Sequence, residues 1–86
     1  MIIGVNKVFE HGGREYHIQC EDLGVPQASF EIRVYDRGTV LWRKKVPYAD
    51  IVARALPKIE MEEALRHMME KTIITVEAAI ATGKLG

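Results

Sequence analysis

The chain carries a single cysteine, Cys20, among 86 residues. That excludes an intrachain disulfide and any cysteine-rich zinc module, and it fits a reducing compartment, so a cytoplasmic protein is expected. Net charge is missing too: twelve basic side chains balance twelve acidic ones. No whole-molecule field then draws the chain to nucleic acid or to an anionic membrane, and any electrostatic partner must meet a local patch. Long hydrophobic runs are also lacking, because the longest apolar region is broken by Glu77, and the opening residues Met1 to Lys7 have neither the basic stretch nor the apolar length of a signal peptide. Neither membrane insertion nor export is expected. No repeat is present, and a chain of this size supports one apolar core, hence one domain over 1–86.

What is there is patterned. Val5 to Glu10 and Arg14 to Cys20 alternate as strands, and Gly12-Gly13 between them supplies the positive φ angles of a two-residue hairpin turn. That turn predicts Phe9 opposite Tyr16, Lys7 opposite Ile18 and Val5 opposite Cys20 on a core face, with the Lys7 ammonium escaping at an edge. Glu21 to Gln27 reads as a loop. Phe30, Ile32 and Val34 then alternate with Glu31, Arg33 and Tyr35, and a turn at Asp36-Arg37-Gly38 leads into a fourth strand, Thr39 to Val46. The expected pairs are Val40 with Val34 and Trp42 with Ile32 inside, and Arg43 with Glu31 outside. Arg43, Lys44 and Lys45 read as charges guarding a sheet edge, and the order of the two hairpins stays open.

After the sheet region 1–47, residues 48–56 suit a short helix and 58–83 a long one that opens at Pro57 with Glu60, Glu62 and Glu63 in its early turns and closes at Gly83. The expectation is an α+β fold: a roughly four-stranded antiparallel sheet of two hairpins, covered on one face by the short and the long C-terminal helix. Met61, Leu65, Met68, Met69, Thr72, Ile73, Val76, Ala79 and Ile80 lie on one apolar stripe of that helix, expected to rest on the inner face of the sheet. At 1.5 Å per residue the helix spans about 37 Å, against about 27 Å for eight-residue strands. Its distal half, Thr72 to Ala81, is apolar nearly all round and is expected to overhang. A homodimer through Ile73, Val76 and Ile80 is the predicted cover.

No catalytic constellation emerges. His17 and Cys20 are an odd number of residues apart on one strand and diverge, which removes both a thiolate–imidazole pair and a metal shell. Glu21 and Asp22 have no opposing acid or base. No cofactor or metal is expected, and an enzyme built around Cys20 is the remote alternative. The outer sheet face gathers His17, Gln19, Arg33, Tyr35, Leu41 and Arg43, a mixture that includes amide, cationic and aromatic groups and is suited to a protein ligand. The alternative use is a single-stranded nucleic-acid or anion site formed by Arg33, Tyr35, Arg37, Arg43, Lys44 and Lys45, against which the neutral chain and the lack of any RNP-like segment argue.

Tyr16-His17-Ile18-Gln19-Cys20-Glu21-Asp22-Leu23-Gly24, with Asp36-Arg37-Gly38-Thr39-Val40-Leu41 and Pro47-Tyr48, resembles a small bacterial protein family of no assigned activity. The likeness covers the strand half and says little of the long helix. It implies a recognition edge at His17, Gln19, Glu21 and Asp22. That family's pattern carries Thr in place of Cys20, which puts obligatory thiol chemistry in doubt. The sequence therefore predicts a non-enzymatic protein–protein interaction module. It is expected to pair with itself and then with another protein, with no role for nucleic acid or membrane.

Overall fold

The computed structural model describes residues 3–85; the reading of the first residues as lacking a leader falls partly on Met1 and Ile2, outside that range. Four strands, β1 (Gly4–His11), β2 (Arg14–Asp22), β3 (Ser29–Asp36) and β4 (Thr39–Pro47), form one antiparallel sheet in the order β1-β2-β3-β4. Two helices follow, α1 (Ala49–Ala53) and α2 (Lys58–Ala81), and α2 packs on one face of the sheet. The fold is α+β, and the open question of strand order resolves as a meander.

The first hairpin has the expected register, with Val5, Lys7 and Phe9 opposite Cys20, Ile18 and Tyr16. Gly12 and Gly13 both adopt left-handed φ, 61° and 78°, as a two-residue turn between twisted strands requires. Lys7 stands on the edge strand with its side chain half exposed, as expected. Its Nζ also lies 2.8 Å from Glu77 Oε2 on α2, an ion pair that ties β1 to the helix.

The second hairpin departs from expectation, and the reason is geometric. Arg37 and Gly38 alone make the turn, with φ of 54° and 81°, which places Thr39 opposite Asp36 and Val40 opposite Tyr35. Continued regularly, that register would turn Trp42 out to solvent. A bulge at Leu41 resolves the conflict: Trp42 pairs with Val34, Lys44 with Ile32, and Arg43 with Arg33. Relative to the expected pairs the strand has slipped by two beyond the bulge, which preserves sidedness, and by one before it, which does not. Val40 is therefore outside and 45 % exposed, and the predicted Glu31–Arg43 pair is replaced by Glu31–Arg33 on one strand.

α2 ends as read from Gly83. The Lys84 N–H donates to Ala79 O and the Gly83 N–H to Ile80 O, and Gly83 has φ of 69°, which together form a Schellman closure. α1 ends on Ala55 at φ 51°, where a Cβ is unfavourable. Ala55→Gly should accordingly raise stability by about 1 kcal/mol, read as a higher urea midpoint at unchanged slope; an unchanged or lower midpoint would refute the strain.

The overhang expected of the distal helix is corrected. Leu65, Met69, Ile73, Val76 and Ile80 all seat on Ile18, Phe30, Ile32 and Val34 of the sheet, and Ile73, Val76 and Ile80 are only 2 %, 4 % and 8 % exposed. They are core residues of this chain, so no surface remains there for a partner. The exposed part of the apolar helix is elsewhere: Ile59 at its start and Ile74 on its β1 side, 67 % and 61 % exposed.

Candidate functional site

Four strands at about 4.8 Å spacing make a sheet about 19 Å wide, whereas a helix with its side chains is about 10–12 Å across. One helix covers roughly half. α2 is pinned to β1 by the Lys7–Glu77 pair and buries the inner face of β2 and β3, and the inner face of β4, with Ile32 beside it, is left as the floor of an open groove of about 460 Å³. Ile32, Trp42 and Val46 form the strand side; Met68, Thr72, Thr75, Val76 and Ala79 form the helix side. A second cleft of about 270 Å³ continues from Trp42 past Leu85 to Tyr16 and Leu41.

Three lysines line the groove: Lys44 from the inner face of β4, Lys71 from α2 and Lys84 just beyond the helix. No carboxylate lines it. A neutral chain thus concentrates positive charge around an uncovered apolar groove, which is chemistry for an apolar ligand that carries acidic groups. The bulge is what builds this site, because it turns Trp42 and Lys44 inward together. Sequence reasoning took Trp42 as core and Lys44 as an edge guard, and missed Lys84; the signal available was three lysines flanking one apolar stripe.

The outer face brings together most of the residues singled out for it. His17 stands opposite Tyr35, and Gln19, Arg33 and Arg43 lie in one row across β2, β3 and β4. Arg33 Nε donates to Glu31 Oε1, and that bond holds the guanidinium still more firmly protonated. His17 Nε2 lies 3.0 Å from Glu15 Oε1. Glu21 and Asp22 belong to β2 rather than to a loop, and they separate: Glu21 is exposed, opposite Glu31, while Asp22 is 8 % exposed. Asp22 Oδ1 accepts from the Gly24 N–H at 2.9 Å and from the Tyr48 hydroxyl at 2.5 Å. Burial and then that bond push the Tyr48 hydroxyl far above its ordinary range. Asp22 is a structural lock between β2 and α1, not part of a recognition edge.

Cys20 is 2 % exposed beneath α2, and burial pushes its thiol up to about 11. The unfolded chain gives up this proton first, so the folded state loses ground as pH rises: stability is full below about pH 8.5 and falls by roughly 1.4 kcal/mol per unit between pH 9 and 11. Tyr48 acts in the same direction above pH 10. Urea melts across this range should show the decline, and Cys20→Ala should flatten it between pH 9 and 10; an equally steep slope in the variant would assign it elsewhere. Alkylation of native Cys20 at neutral pH should be slow.

Among the described residues no three of His, Cys, Asp and Glu gather as a metal site, and no helix is long and apolar enough to cross a membrane. Comparison with known proteins finds no matching family model, no matching curated protein and no matching solved structure. The strand–loop resemblance therefore rests on its own residues, and the functional reading rests on the geometry.

Proposed function

We propose that this chain is a non-enzymatic protein–protein interaction module whose docking site is the groove between α2 and β4, and that the groove takes a helix. The observation that carries the reading is the open β4 edge of the covered face: an apolar strip running along α2 from Met68 to Ala79, about 16 Å by helix rise, walled on one side by a helix and edged by Lys44, Lys71 and Lys84. Laying an amphipathic helix there completes the second layer that a four-stranded sheet needs. Lysines spread along the strip suit acidic groups spread along a helix better than the single head group of a small amphiphile.

Trp42 is the only tryptophan and lies in the groove, so its fluorescence reports occupancy directly. Its emission should shift to the blue with rising chain concentration if the chain fills its own groove, or on titration with a Leu/Glu amphipathic helical peptide if a foreign helix does. Lys44→Glu with Lys84→Glu should weaken the peptide response at least tenfold, and added salt should weaken it progressively. A Trp42 signal indifferent to both concentration and peptide overturns the reading. A response to fatty acid but not to peptide would also overturn it, in favour of a small-ligand site.

A further inference from the structure

Resting on that reading, we infer that the helix occupying the groove is α2 of a second copy of this chain, laid antiparallel to the first. Three observations support it. The first is the seam. At 3.6 residues per turn, Ala64, Met68, Thr72, Thr75 and Ala79 share the flank of α2 that borders the groove; Ala64 and Met68 pack partly against the core, but none of the five is buried as Ile73, Val76 and Ile80 are. Four of the five are small, which lets a second helix approach closely. Turned end for end about a two-fold near Thr72, this seam meets itself: Ala64 falls beside Ala79, and Met68 beside Thr75.

The second observation is charge. The same antiparallel pairing sets Glu60 and Glu63, both exposed near the start of one helix, at the level of Lys84 just beyond the end of the other. The groove that lacks carboxylates receives them from its partner, and opposed helix dipoles add to the attraction. Lys71 lines the groove and lies close to the two-fold in both copies, so its two ammonium groups oppose each other there, a repulsion that the Glu60–Lys84 attraction at the two ends must exceed. The third observation is unspent apolar surface. Ala78 is exposed on the outward side of α2, and in an isologous pair it comes to lie over the other copy's Trp42 and Val46; Ile74 faces the β1 side, in a cleft with Val5, Asn6 and Lys7, and takes no part. The shape agrees: the radius of gyration is 13.6 Å, with extents of 43 × 19 × 19 Å, against about 12 Å for a compact domain of this length.

Light scattering should give twice the 9.7 kDa chain mass. Thr72→Cys should form an intermolecular disulfide under mild oxidation, because the two copies of residue 72 meet near the axis, while Glu63→Cys should not. Thr75→Arg with Ala79→Arg should yield a folded monomer. Glu60→Lys with Glu63→Lys should weaken the dimer at least tenfold, and adding Lys84→Glu to that variant should restore it. A native monomer whose Trp42 still responds to the helical peptide would overturn self-pairing and leave the groove reading standing. A native dimer that Thr72→Cys fails to cross-link, or that survives both arginines, would place the interface elsewhere and overturn the inference.

Discussion

Asp22→Ala lowers the stability of this chain by about 3 kcal/mol, and Tyr48→Phe by about 2 kcal/mol. Both bonds of the lock fall on a single oxygen, Asp22 Oδ1, which accepts from the Gly24 N–H and the Tyr48 hydroxyl, and neither the tyrosine nor the aspartate has solvent to fall back on. Removing the carboxyl leaves the buried Tyr48 hydroxyl and the part-buried Gly24 N–H without their acceptor; removing the hydroxyl leaves the carboxyl one donor short. A domain of this length has a total stability of roughly 4–13 kcal/mol, so the alanine variant loses a large share of it. At about 4–8 °C per kcal/mol, its thermal midpoint falls by more than ten degrees. Asp22→Asn keeps an oxygen at the same place and should recover most of the loss, which separates the lock from a general need for negative charge. Thermal melts by circular dichroism decide it, and an alanine variant melting within a few degrees of the native chain would show that the lock is incidental.

The lock also shows where reading the sequence reached its limit. Strand patterning, the Gly12-Gly13 turn and the Gly83 closure were legible because each is encoded within a few consecutive residues, and the structure repeats them. Asp22 was taken for a surface residue because its partner, Tyr48, lies 26 positions away across two further strands, and no local pattern encodes that meeting. The slip in the second hairpin has a different origin. Turn chemistry at Arg37-Gly38 and the inward alternation that partly buries Trp42 and Val46 demand registers that differ by one residue, and the bulge that reconciles them leaves no mark in the sequence beyond an unmatched Leu41. The groove was illegible for the same reason, since its existence depends on which half of the sheet α2 covers. That choice is fixed by tertiary contacts such as Lys7 with Glu77.

Ile73→Glu with Ile80→Glu unfolds the chain. From the sequence, with the distal helix overhanging, the same double substitution would have been expected to turn a dimer into a folded monomer, so the outcome separates the two placements of α2. In the structure Ile73 sits 2 % exposed against the sheet and Ile80 8 % exposed near the helix end. Each substitution forfeits about 2 kcal/mol of apolar burial, and an unpaired carboxylate under the sheet costs several kcal/mol more. The cost is greatest at Ile73, because Ile80 lies close enough to the end of α2 for a longer side chain to reach water. Together these losses match or exceed the roughly 4–13 kcal/mol that holds a chain of this size folded. Far-ultraviolet circular dichroism should therefore lose the helical signal in this variant and keep it in Thr75→Arg with Ala79→Arg, whose substitutions fall on the groove flank of the same helix. If the glutamate variant were instead folded and monomeric, α2 would not be seated through Ile73 and Ile80, and the groove beside it would not exist.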